Sequence, residues 1–137
     1  MSTPHHAIVW IDHQQAKIFR FEGTDFESAN VRSSHPHEHI HHKVNANNSG
    51  HVSVGNAFLK QVADAVSNAG TILITGPANA KKELAAYLEQ KQPGVAARVA
   101  GVEALDHPSD GQLVAFARKF FKADERMNTQ LRRGMHQ

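Results

Sequence analysis

The sequence predicts an α/β fold in which a mixed β-sheet carries helices on its faces, and three observations lead there. Short β-prone runs stand at residues 7–11 and 16–21, the second alternating apolar and polar as a half-buried strand does. Val54, Phe58, Leu59, Val62 and Val66 recur at helical spacing. The apolar run TILIT at 71–75 then ends in Gly76-Pro77 and passes at once into a second helical segment, so strand and helix alternate through the rest of the chain.

The first two strands, separated by Asp12-His-Gln-Gln15, read as a hairpin, and a weaker strand at 27–33 follows Gly23-Thr24-Asp25. Residues 34–50, SHPHEHIHHKVNANNSG, are nearly free of core-forming side chains and read as a long, mobile loop. Ser53 is placed to cap the first helix and Gly70 to stop it. After the strand at 71–75, a helix over 78–90 is expected with Pro77 at its first position and Leu84, Tyr87 and Leu88 inward. Pro93-Gly94 ends that helix, and 95–102 reads as a strand with Val95, Ala97 and Val99 on one face. Ser109 and Gln112 match a capping box for a last helix whose stripe is Leu113, Phe116, Ala117 and Phe120. The expected organisation is one domain over 1–123, followed by a basic tail at 124–137 that loses periodicity and frays.

The order β-β-β-α-β-α-β-α implies an antiparallel meander extended by parallel strands reached through helices. That is the order of a ribonuclease H-like domain. Enzymes of that type gather metal-binding carboxylates on the first strand, first helix and fourth strand. Here Asp12 and Asp64 stand at the first two places, but TILIT carries no acid, so two-metal nuclease chemistry is not expected.

Composition narrows the classes further. The 137 residues are enough for one core, and a 40% hydrophobic share is ordinary for a globular protein. Cysteine is absent, which excludes disulfides, thiolate metal sites and a cysteine nucleophile. No stretch resembles a leader peptide or a membrane span, so the cytoplasm is the expected compartment and a membrane partner is not expected. Formal charge is +2 with neutral histidines and would reach +13 with all eleven protonated. Mild acid or a nearby polyanion would therefore make the chain strongly cationic.

Two features carry candidate chemistry. The turn at Gly76 places Lys81 and Lys82 at a helix start, where backbone N–H groups already carry partial positive charge. Basic groups there suit an anion such as phosphate, whereas screening by Glu83 and solvent would leave an ordinary amphipathic helix. The histidine tract is the second: in an extended chain His35, His37, His39 and His41 project from one face, with His42 adjacent. Paired imidazoles suit zinc, nickel or copper, or they contact bases and phosphates. Other chemistries lack support. There is no G-x-S-x-G elbow, no dinucleotide fingerprint and no Walker lysine, and the acid–histidine neighbours Asp12-His13 and Asp106-His107 fall in turns where adjacent side chains seldom face each other.

The segment ILITGPANAKKELAAYL, with FLKQVADAV before it, resembles the strand–Gly-Pro–Lys–helix region in the middle domain of archaeal and eukaryotic class-1 peptide release factors and of Pelota. GVEALDHPSDGQLVAFARKFF is similar to small bacterial proteins labelled translational machinery proteins, a likeness that covers nearly the whole chain. Release factors carry a Gly-Gly-Gln loop between third strand and first helix; here that interval is the His/Asn tract, so the resemblance does not imply peptidyl-tRNA hydrolysis. It implies a non-enzymatic protein associated with the ribosome or RNA, requiring no cofactor. Its contact surface would join the His loop, Gly76, Lys81 and Lys82, with Arg126, Arg132 and Arg133 in the tail. Two alternatives stand beside it: a metal-binding or metal-sensing protein holding zinc or nickel through His35, His37, His39, His41 and His42, and a homodimeric assembly module.

Overall fold

The computed structural model describes residues 5–23, 25–33 and 55–135, with side chains up to Ala123. The chain divides into two compact units, Met1–His107 and Pro108–Gln137.

The first unit is built on a five-stranded mixed sheet. Strand β1 (His6–Ile11) forms a hairpin with β2 (Gln15–Glu22), and β3 (Asp25–Arg32) pairs antiparallel with β2. Helix α1 (Asn56–Val66) leads to β4 (Thr71–Gly76), which lies parallel to β1. Helix α2 (Ala80–Lys91) and a one-turn helix α3 (Pro93–Ala96) lead to β5 (Val99–Ala104), parallel to β4. The spatial order β3-β2-β1-β4-β5 is the ribonuclease H-like arrangement that the element order predicts.

Burial follows from position in this order. Strands β1 and β4 are central, so both faces are covered and both read as near-continuous apolar runs. The outer strands β3 and β5 are largely exposed, which explains why their sequences carry the weakest strand signals. Ala7, Val9, Ile11, Ile18, Ile72 and Ile74 form one face of the core and pack with Phe58, Leu59, Val62 and Val66 of α1 and Leu84 and Leu88 of α2. Ile8, Trp10, Phe19, Phe21 and Leu73 are buried on the opposite face. The β1–β2 turn is closed by Asp12, whose Oδ1 accepts from the backbone N–H of Gln14 at 2.8 Å and of Gln15 at 2.9 Å.

Boundaries depart from expectation at defined places. Pro77 lies outside α2, because Asn79 takes the capping position and its carbonyl accepts from the N–H of Lys82 at 2.9 Å and Glu83 at 3.0 Å. Val95 belongs to α3 rather than to a strand: Pro93 starts that turn with its fixed φ, Val95 is buried under it, and β5 begins only at Val99. Gly55 holds the capping position of α1. Ser53 and the His-rich segment 34–50 lie outside the described residues.

The second unit consists of α4 (Asp110–Met135) and its cap. Ser109 and Gln112 form the reciprocal box expected of them, with N–H of Ser109 donating to Oε1 of Gln112 at 2.9 Å and N–H of Gln112 to Oγ of Ser109 at 3.1 Å. The buried stripe is Leu113, Ala117 and Phe121, while Phe116 and Phe120 are half-buried. The backbone stays helical to Met135, where loss of apolar periodicity predicts fraying after Ala123. Residues 124–133 contain no proline or glycine and are rich in Glu, Arg, Met, Gln and Leu, so propensity favours the helix even without a periodic apolar face.

Candidate nucleic-acid interface

The β4–α2 turn starts from a close approach of two strands. A Cβ on Gly76 would lie 2.2 Å from the carbonyl oxygen of Ile11, and φ of Gly76 is +156°. Only glycine lets the end of β4 pass this near to the end of β1. The Gly76 carbonyl in turn accepts from the N–H of Leu105 at 3.0 Å, tying the segment after β5 to the same spot. Gly76 is buried, so its work is to join three strand ends.

The two lysines beyond it are not equivalent. Lys81 is only 8% exposed, and its Nζ donates to the Ala78 carbonyl. It sits three residues before Leu84 and seven before Leu88, on the buried face of α2, with its stem laid over the core and its ammonium holding the turn. Lys82 is exposed and presents its charge on the first turn of the helix. Of the three predicted contact residues at this turn, Lys82 alone is laid open. Replacing Lys81 by Met keeps the stem and removes one hydrogen bond, so Lys81→Met is expected to cost about 1 kcal/mol in urea denaturation. The Arg126, Arg132 and Arg133 side chains and the five histidines His35, His37, His39, His41 and His42 lie outside the described residues.

A second constellation stands at this end of the sheet. Trp10 is buried in β1, and its Nε1 donates to the Asp106 carbonyl at 2.9 Å. Asp106 Oδ1 lies 3.1 Å from His107 Nδ1, and the His107 ring is tilted 57° on Trp10 with centroids 5.3 Å apart. Adjacent Asp106 and His107 do face each other, contrary to expectation, because the Trp10 bond fixes the carbonyl between them. Nothing in local sequence signals this: the two partners are 96 positions apart and meet through sheet pairing.

The carboxylates expected of a nuclease are occupied elsewhere. Asp12 closes its turn, and exposed Asp64 pairs with Lys60 at 3.0 Å, one helical turn away. The hydrogen bond from Lys60 holds the Asp64 carboxyl below the usual carboxylate range and holds the Lys60 ammonium above its own. Among the described residues no three His, Asp or Glu side chains are grouped to hold a metal ion. At the far end of β1 and β4 a cleft of about 420 Å³ is lined by His5, Arg20, Glu22, Asp25 and Glu27 among others. Arg20 there is engaged, donating to the Ala65 carbonyl at 2.9 Å and to Glu27 at 3.0 Å, and the excess of acid is unsuited to a phosphate backbone. No helix of the described residues is long and apolar enough to cross a membrane.

No protein-family profile matches the sequence, and no curated protein matches it significantly. Solved structures do match. Pelota from Archaeoglobus fulgidus aligns over 86% of this chain and 32% of its own, at 14% identity and a TM-score of 0.60. Pelota from Thermoplasma acidophilum aligns over 82% and 31%, at 22% identity and a TM-score of 0.59. The archaeal translation termination factor aRF1 aligns over 96% and 42%, at 17% identity and a TM-score of 0.56. The chain thus has the fold of one domain of these factors and spans 31 to 42% of their length. At these identities the likeness is one of fold, and the activities of the larger proteins do not follow from it.

Proposed function

We propose that this protein is a non-enzymatic RNA- or ribosome-associated protein, related in fold to translation termination factors and acting without their Gly-Gly-Gln chemistry. The observation that carries the reading is the shared fold, a five-stranded sheet aligned over nearly the whole chain with a domain of aRF1 and Pelota. The exposed Lys82 on the first turn of α2 supports it, since an ammonium added to the positive end of a helix raises the local potential for phosphate. The Lys81 ammonium, engaged with the Ala78 carbonyl, serves the turn and not the ligand.

A pull-down from native lysate at low salt, with and without nuclease, tests the reading directly. A ribosomal or RNA signal that nuclease abolishes supports it, and its absence at every salt concentration refutes it. Lys82→Glu then tests the residue. Each lost phosphate contact lowers the slope of log K against log salt by about 0.7 to 0.9. The variant is expected to bind RNA several-fold more weakly at low salt and to show that shallower slope. An unchanged slope in a filter-binding titration removes Lys82 from the interface.

A further inference from the structure

We propose that His107 is a stacking platform for a nucleobase of single-stranded RNA, an inference that rests on the RNA-binding reading above. The geometry is that of a ring held from behind and open in front. Trp10, 3% exposed, supports one side of the imidazole at a centroid distance of 5.3 Å, and the Asp106 carboxylate holds Nδ1 at 3.1 Å. The backbone beneath is fixed twice, by Trp10 Nε1 on the Asp106 carbonyl and by the Leu105 N–H on the Gly76 carbonyl. The His107 side chain nevertheless remains 67% exposed. An exposed aromatic ring normally samples several rotamers; this one is already ordered, so a base that stacks on it loses little further entropy.

Position and charge select the ligand. His107 follows β5 at the C-terminal end of three parallel strands, the end at which ligands bind in open α/β sheets. The β4–α2 turn leaves the same hydrogen bond between Gly76 and Leu105 and leads to exposed Lys82 on the first turn of α2. At the ring, however, the charge is negative: the Asp106 carboxylate touches it, and exposed Glu103 lies one residue before the end of β5, the strand that His107 follows. A phosphate is repelled there, whereas the uncharged face of a base is not. The role assigned to His107 is therefore stacking, with Lys82 supplying the ionic contact. Every base has a π-face, so the platform is tolerant of sequence.

The test is fluorescence anisotropy with labelled single-stranded oligonucleotides, measured across a salt series. His107→Ala is expected to weaken binding about tenfold with the salt slope unchanged, since no ion pair is lost. His107→Phe, which keeps an aromatic face, is expected to stay within about twofold of the wild type. Far-UV circular dichroism reports that each variant is folded, since Trp10 emission would itself respond to the loss of the His107 ring beside it. Wild-type affinity in His107→Ala overturns the stacking role and leaves RNA binding standing. Equal loss in both variants also overturns it, because the aromatic face then contributes nothing. Failure of the wild-type protein to bind any oligonucleotide or ribosome refutes both proposals together.

Discussion

Gly76→Ala is expected to destabilise the protein by at least about 3 kcal/mol, a large part of the roughly 5 to 15 kcal/mol that holds an ordinary domain folded. The added methyl carbon would stand 2.2 Å from the Ile11 carbonyl oxygen, far inside van der Waals contact, and the obstructing atom belongs to backbone. A flexible side chain moves aside at little cost; this carbonyl does not. Ile11 is paired with Ala16 in the hairpin register, and the next residue, Asp12, closes the turn through two hydrogen bonds. Relief on the β4 side is blocked as well, since the Gly76 carbonyl is bonded to Leu105 and β4 is paired on both edges. A φ of +156° adds a conformation that residues bearing a Cβ rarely adopt. Urea denaturation followed by Trp10 emission measures the effect. A midpoint within about 1 kcal/mol of the wild type would mean that the two strand ends do not approach as described.

The same turn illustrates what the sequence discloses and what it withholds. TILIT is bounded by turn residues and apolar throughout, and it becomes a central strand buried on both faces. The capping box at Ser109 and Gln112 is equally local and equally legible. The burial of Lys81 was missed: a lysine at a helix start reads first as a surface charge, although its spacing to Leu84 and Leu88 is that of the inward face. The switch at Val95 was harder, because an alternating apolar pattern suits either a strand or a short turn started by Pro93. Least accessible was the Trp10–Asp106–His107 group. Its members are joined only when β1, β4 and β5 align, and no window of local sequence contains that alignment. A fold can therefore be read from periodicity while its surface chemistry depends on register, which periodicity does not specify.

Ile74→Ala is expected to cost about 2 to 5 kcal/mol, the range of large-to-small changes in a well-packed core. Ile74 has no exposed surface and lies among Val9 of β1 and the inward side chains of α1 and α2, so truncation leaves a cavity that its paired strand cannot collapse to fill. Its neighbour across the other edge supplies the control. Val102 of β5 stands opposite Ile74 in the register yet is 38% exposed, so Val102→Ala opens no closed cavity and is expected to cost less than about 1 kcal/mol. Both positions are in strands and both changes remove aliphatic carbon, so intrinsic strand preference cannot account for a large difference between them. Two urea titrations with equal slopes and well-separated midpoints would place the core on the β1–β4 pair; coincident midpoints would contradict the burial assigned to β4.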